Sequence, residues 1–154
     1  MEFDVKNTLK QDFSELQDWK NHEIPSEKAI VGELGNSKIE ALKTLIEEIH
    51  EMIKGREKLS RKIHEEGESL KSEINVYLAE NERMQIASQD VVKEKDSLRY
   101  KRIEISELQM NEKISCWKDI ALLKKELREY ERELNEKEER AKVFERILGG
   151  EDGV

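Results

Sequence analysis

From Ser37 to Leu148 the chain has no proline, and its glycines there are Gly55 and Gly67. Apolar side chains return every seventh residue through most of this stretch. Placing heptad position d on Leu42 gives Leu42, Ile49, Arg56, Ile63, Leu70, Tyr77, Met84, Val91, Leu98 and Ile105, apolar everywhere except Arg56. A single helix over this run would be about 165 Å long at 1.5 Å per residue, and a helix of that length must hide its stripe against another helix. The unslipping phase predicts a continuous parallel coiled-coil seam with another chain and argues against an internal hairpin. The fold class expected is therefore all-α, a long parallel coiled coil preceded by a short N-terminal helical segment.

The a positions read Ile39, Ile46, Ile53, Ser60, Gly67, Ile74, Asn81, Ser88, Lys95 and Arg102. They begin as isoleucine and turn small or charged. Such layers weaken a helix pair while fixing its register, and large apolar residues on a partner would relieve the loss, which favours a heterodimer over a homodimer. Against this, a parallel homodimer would bring Glu66 to Lys71 and Glu94 to Arg99 of the other chain. Exposed pairs of this kind contribute only about 0.3–0.5 kcal/mol each and decide little.

Beyond Ile105 the phase changes. The later seam is Ile120, Leu123, Leu127, Tyr130, Leu134, Ala141, Phe144 and Leu148, a four-residue stutter relative to the first register. The stretch between them carries Met110, Ile114 and Trp117 on a third, transitional face that could bend or receive another protein. Leu45, Met52 and Leu59 fall at g and widen the early stripe, leaving room for a further helix. The expected organisation is short N-terminal helices over 1–36, a first coiled-coil segment over 37–105, a register shift or bend over 106–119, a second segment over 120–148 and a flexible tail over 149–154. The partner interface expected is Leu42, Ile49, Ile63, Leu70, Tyr77, Met84, Val91, Leu98, Ile105, Leu123, Leu127, Tyr130, Leu134, Phe144 and Leu148. A possible docking surface comprises Leu45, Met52, Leu59 and Trp117.

Ahead of the long run, Val5, Leu9, Phe13 and Leu16 share one helical face, predicting a helix over 3–20 that ends before Asn21. This helix can fold back onto the widened stripe, or helices of other subunits can take that place. If it docks, Trp19 is covered with it. Pro25 and Ser26 suit a break and a new N-cap, with a short helix over 27–34 closed by Gly35. Ser37 and Glu40 have capping-box spacing at the start of the long run.

Composition narrows the function classes. Asp, Glu, Lys and Arg make up 42% of the 154 residues and aromatics 5%, which is poor material for a compact globular core. Acidic and basic residues are interleaved at a net charge of −8, so the clustered cations that a duplex requires are lacking, and Arg99, Lys101 and Arg102 are flanked by Glu94, Asp96 and Glu104. No nucleic-acid partner is expected. The polar face of the 3–20 helix mixes Asp4, Asp12, Glu15 and Asp18 with Lys6, Lys10 and Lys20, which gives anionic lipid little to attract, and no membrane insertion is expected. No signal-peptide pattern or membrane-length apolar run occurs, so an intracellular protein is expected, at the nucleus and chromosome or in the cytoplasm.

Chemistry-bearing residues are sparse. His50 and His64 lie two heptads apart with no ligand spacing around them, and no metal or cofactor is expected. Cys116, the lone cysteine, has no histidine near it in sequence and reads as a small buried residue. Carboxylates one turn apart, such as Glu129 and Glu133, face water on a straight helix rather than a cleft. The expectation is a protein that is not an enzyme.

The ending ELREYERELNEKEERAKVFERILGG resembles the place where the small coiled-coil subunits of the outer-kinetochore microtubule-attachment complex leave their rod. Phe144, Arg146, Leu148 and Gly149 occupy that ending, and the likeness covers roughly the last 30 residues. It implies a heterodimeric coil within a kinetochore or spindle assembly. In that family a globular head follows the Leu-Gly, whereas GEDGV follows here, so head-dependent contacts do not carry over. The function expected is that of a structural subunit pairing with another coiled-coil chain and spacing binding surfaces. The alternative is a tether or adaptor in membrane traffic or the cytoskeleton.

Overall fold

The computed structural model of the chain describes residues 5–24, 36–83 and 89–149. It contains α1 (Val5–Thr8), α2 (Lys10–Asn21), α3 (Asn36–Arg83) and α4 (Gln89–Gly149), and no strand occurs among the described residues. The short helix expected over 27–34, Pro25, Gly35 and the tail from Gly150 lie outside the described residues, as does Met84.

Charge suits several of the helix ends. Asp12 and Asp90 sit in the first turns of α2 and α4, and Lys20, Arg83 and Arg146 sit in the last turns of α2, α3 and α4, opposing the helix dipoles. The first two helices form nearly one arm. The Leu9 and Phe13 amides donate to the carbonyls of Val5 and Leu9 at 3.2 and 3.0 Å, keeping the four-residue ladder across the junction. The arm stops at Asn21, where His22 turns extended and its amide closes on the Trp19 carbonyl at 3.1 Å.

The chain divides into two compact units, one from residues 1–22 with 56–118, the other from 23–55 with 119–154. In the first, α3 and α4 run antiparallel. Arg56 meets Glu112, Asn75 meets Arg102 and Tyr77 meets Glu94, so position falls along α4 as it rises along α3. The core of this unit joins Val5 and Leu9 of the arm to Leu70, Ile74 and Leu78 of α3 and Leu98 and Ile105 of α4. Leu16 extends it against Leu59 and Ile63, with Phe13 and Trp19 packed alongside. In the second unit Leu42, Leu45, Ile49 and Ile53 of α3 and Leu123, Leu127 and Tyr130 of α4 are buried. There Lys43 reaches Glu138 at 4.0 Å, while Lys38 and Ile39 line a groove with Ala141 and Phe144, again an antiparallel order.

The all-α class holds. The expectation of one unbroken helix over 37–148, with its seam facing another chain in parallel, is corrected. α3 ends at Arg83, α4 begins at Gln89, and chain direction reverses between them. Leu70 and Leu98, both on the expected intermolecular seam, are buried in one core of this chain, at 7% and 1% exposure. The physical reason lies in the layers that break the heptad pattern, because self-pairing answers them. Arg56 at d finds Glu112, Gly67 at a finds Gln109, and Arg102 at a donates to Asn75 Oδ1 at 2.8 Å. The interchain ion pairs considered from sequence are replaced too. Lys71 pairs with Glu68, and Arg99 with Asp96.

Residues 106–119 are helical throughout. Buried positions on this part of α4 are Leu98, Ile105 and Glu112, seven apart, then Cys116 after a step of four. The phase change therefore occurs within continuous helix.

Truncating Leu98 to Ala removes a side chain that is 1% exposed and should destabilise the chain by about 2–5 kcal/mol in urea unfolding. Ile103→Ala, at a position 53% exposed on the same helix, should change stability by no more than about 0.5 kcal/mol.

Candidate interaction surface

Most of the expected seam is already occupied within the chain. Leu42, Ile49, Ile63, Leu70, Leu98, Ile105, Leu123, Leu127 and Tyr130 are buried, and Tyr77, Val91 and Leu134 are half-buried. Leu59 of the expected docking surface is covered by Leu16 of the folded-back arm, Leu45 is buried and Met52 half-buried. A partner chain does not find these side chains free.

The polar layers of the first unit explain why the helices pair in this register. Arg56 is 0% exposed and Glu112 6%, and the guanidinium Nη1 donates to Glu112 Oε1. The Trp19 ring lies 5.6 Å from the guanidinium carbon, close enough for its negative face to attract the cation. Two buried charges cost several kcal/mol each in lost hydration, so the pair serves register more than net stability. Glu112 was missed from the sequence, where it looks like one more surface acid. Its signal was its d position, seven residues after Ile105 and opposite in sign to the one charged d residue of α3.

One turn from Glu112 along α4, Gln109 enters beside Gly67 of α3. The amide Nε2 donates to the His64 carbonyl at 3.0 Å and to Glu68 Oε1 at 3.1 Å. A Cβ on residue 67 would stand 2.6 Å from that nitrogen and 3.1 Å from Gln109 Cδ, so a side chain there obliges the end of the glutamine to move. Lys71, and then Gln109, hold Glu68 below the usual carboxylate range. Tyr77 Oη donates to Glu94 at 2.8 Å and lowers that carboxyl's pKa in the same way.

What remains exposed is a second apolar stripe on α4. Ile103, Met110, Ile114 and Trp117 are spaced seven, four and three apart, so they share one helical face, and they are 53, 60, 47 and 72% exposed. The inward positions Leu98, Ile105, Glu112 and Cys116 occupy the opposite side of the same helix. Trp117 is thus the one member of the expected docking surface that the chain leaves open. In the second unit Phe144 and Leu148 are 64 and 60% exposed, beside Val143 and Ile147. A groove of about 530 Å³ runs past Phe144, lined also by Ile39, Ala141, Lys137 and Arg140.

His22, His50 and His64 are all at the surface, and Cys116 is buried. Among the described residues no group of three His, Cys, Asp or Glu side chains is placed to hold a metal ion. No described helix is long and apolar enough to cross a membrane.

Replacing Gly67 by Ala in the native chain should gain less stability than the better helix former supplies alone, because the Gln109 side chain must shift away from its two exposed hydrogen bonds. In a Gln109→Ala background the full gain, about 0.5–1 kcal/mol, should appear. Arg56→Leu or Glu112→Leu alone should each cost about 3–5 kcal/mol, whereas the double replacement should recover most of that loss. Thermal and urea unfolding of the variants read both comparisons. Protein-family models, curated proteins and solved structures give no match to this chain.

Proposed function

We propose that this chain is a non-enzymatic structural subunit that folds upon itself and pairs with another coiled-coil protein through the outer face of α4. The carrying observation is the exposed stripe Ile103, Met110, Ile114 and Trp117, four large apolar side chains on one helical face. Aromatic and methionine side chains are the usual anchors of protein interfaces, since each removes much area from water when a partner covers it. An amphipathic partner helix, laying its own apolar edge along this face, fits that geometry. Heteromeric pairing is retained from the sequence reading, but the surface is relocated from the 39–105 seam to the face that the chain leaves open.

The assembly proposed is a kinetochore or spindle complex, on the strength of the ending that contains Phe144, Arg146, Leu148 and Gly149. The exposure of Phe144 and Leu148 supports a role for that end in contact with other subunits. In such an assembly the chain would act as a spacer, presenting the α4 face and the 143–148 end to different neighbours.

Sedimentation of the purified chain, alone and with coiled-coil subunits of that assembly, tests the proposal. The chain alone should sediment as one copy and shift to a one-to-one complex with its partner. Replacing Met110 and Trp117 together by Ser should weaken the complex at least tenfold while leaving the urea midpoint of the free chain within error. A complex that forms equally well with both side chains replaced overturns the assignment of this face.

A further inference from the structure

The outer stripe of α4 has more order than its four apolar members show. Tyr100, 74% exposed, stands three residues before Ile103, so the exposed face reads Tyr100, Ile103, Glu107, Met110, Ile114 and Trp117. The steps alternate between three and four residues, which is the spacing of a second heptad seam on the side of α4 away from the core. Every layer is apolar except the third, where the carboxylate of Glu107 is exposed. The whole stripe lies in the first unit.

Three charges on this face have no mate in the chain. Glu107 has Ile103, Glu104, Met110 and Asn111 three and four residues away on α4, none of them a cation. Lys113 and Lys118 are exposed and flank the Ile114–Trp117 end, one on each edge of the stripe. Neither lysine has an Asp or Glu three or four residues away along the helix. No ion pair of any of the three occurs among the described residues. Elsewhere on α4 such local pairs are made, Arg99 with Asp96 and Lys137 with Glu133, both at 3.1 Å.

We infer that the outer face of α4 is a second coiled-coil seam, and that its partner is an amphipathic helix with a basic residue opposite Glu107 and acidic residues beside Lys113 and Lys118. The inference rests on the proposed role of this face in pairing and adds the chemistry of the partner. The interior of the same unit shows what a charged layer does in a seam. Arg56, at a d position, is met by Glu112, and the pair sets the register of α3 on α4. Glu107 places the same demand on whatever covers it. An unmatched carboxylate in a covered layer loses hydration with nothing in return, so a lysine or arginine facing it is favoured over a leucine or an acid. Acids on the flanks of the partner answer Lys113 and Lys118, which speeds encounter and selects one alignment of the strands. A bilayer suits the face less well, because Glu107 sits between Ile103 and Met110 and would be carried toward the acyl chains with them.

The test measures the fluorescence anisotropy of labelled synthetic helices, each about four heptads long with leucine at a and d, on addition of the full chain. One set carries lysine in the layer that meets Glu107 and glutamate on the flanks that meet Lys113 and Lys118, built for parallel and for antiparallel alignment. The other set has these charges exchanged. In one alignment the first set should bind about tenfold more tightly than its exchanged counterpart. Where only the layer residue is exchanged, a Glu107→Lys chain should pass its preference from lysine to glutamate. Glu107 is exposed, so this replacement should leave the urea midpoint of the free chain unchanged. Equal binding of both sets, lost when Met110 and Trp117 are replaced by Ser, overturns the inferred partner chemistry while the pairing role of the face stands. Binding that survives those replacements, or no binding of either set, overturns the pairing role as well. Flotation of the chain with phosphatidylserine and phosphatidylcholine vesicles that is lost in the same Ser variant assigns the face to a membrane and overturns the helical partner.

Discussion

The structure depends on burial of one apolar stripe on α3 by an antiparallel stretch of the same chain. A 48-residue helix carrying leucine and isoleucine along one side cannot leave them in water. Each fully buried side chain of that size contributes roughly 1.5–3 kcal/mol, and the arm, α3 and α4 together supply the cover. Covalent connection makes the partner strand permanently available, so an internal mate competes well against any external one that offers the same contacts. Everything polar in the interior is subordinate to this. Arg56, Glu112 and Asp12 are buried, and Gln109 half-buried, because the apolar layers around them place them there.

Those polar groups divide the work differently. Apolar layers reward proximity and tolerate sliding by a heptad, since leucine meets leucine either way. The Arg56–Glu112 pair and the Gly67–Gln109 fit do not tolerate it. A slip of seven residues on α3 would set Glu112 beside Ile49 or Ile63 and drive Gln109 into Ser60 or Ile74. Stability and uniqueness therefore come from different residues.

Much of this was legible in the residues. Of the described d series from Leu42 to Ile105, Tyr77 and Val91 are half-buried and the others buried, the charged Arg56 among them. The g residue Leu59 announced that another helix was needed, and the Val5–Leu9–Phe13–Leu16 face supplied it. What was not legible was the reversal between Arg83 and Gln89. Parallel and antiparallel pairs use the same a and d positions, so the pattern says that a stripe is covered without saying by which strand. Neither proline nor glycine marks the stretch from Met84 to Ser88. The clue lay in complementarity between distant residues, a positive charge at one d position and a negative charge at another 56 residues on, which a search for local periodicity passes over. The outer face was half visible. Met110, Ile114 and Trp117 were read as a transitional face, but Ile103 joins them only once the inward side of α4 is known.

Gly67 has a consequence for how the chain could diverge. A glycine in mid-helix is ordinarily the first residue that selection for thermal robustness would replace, since almost any substitute makes a better helix. Here the missing methyl makes room for Gln109, and filling it makes that side chain move. Descendants of this sequence should change residue 67 most readily together with residue 109.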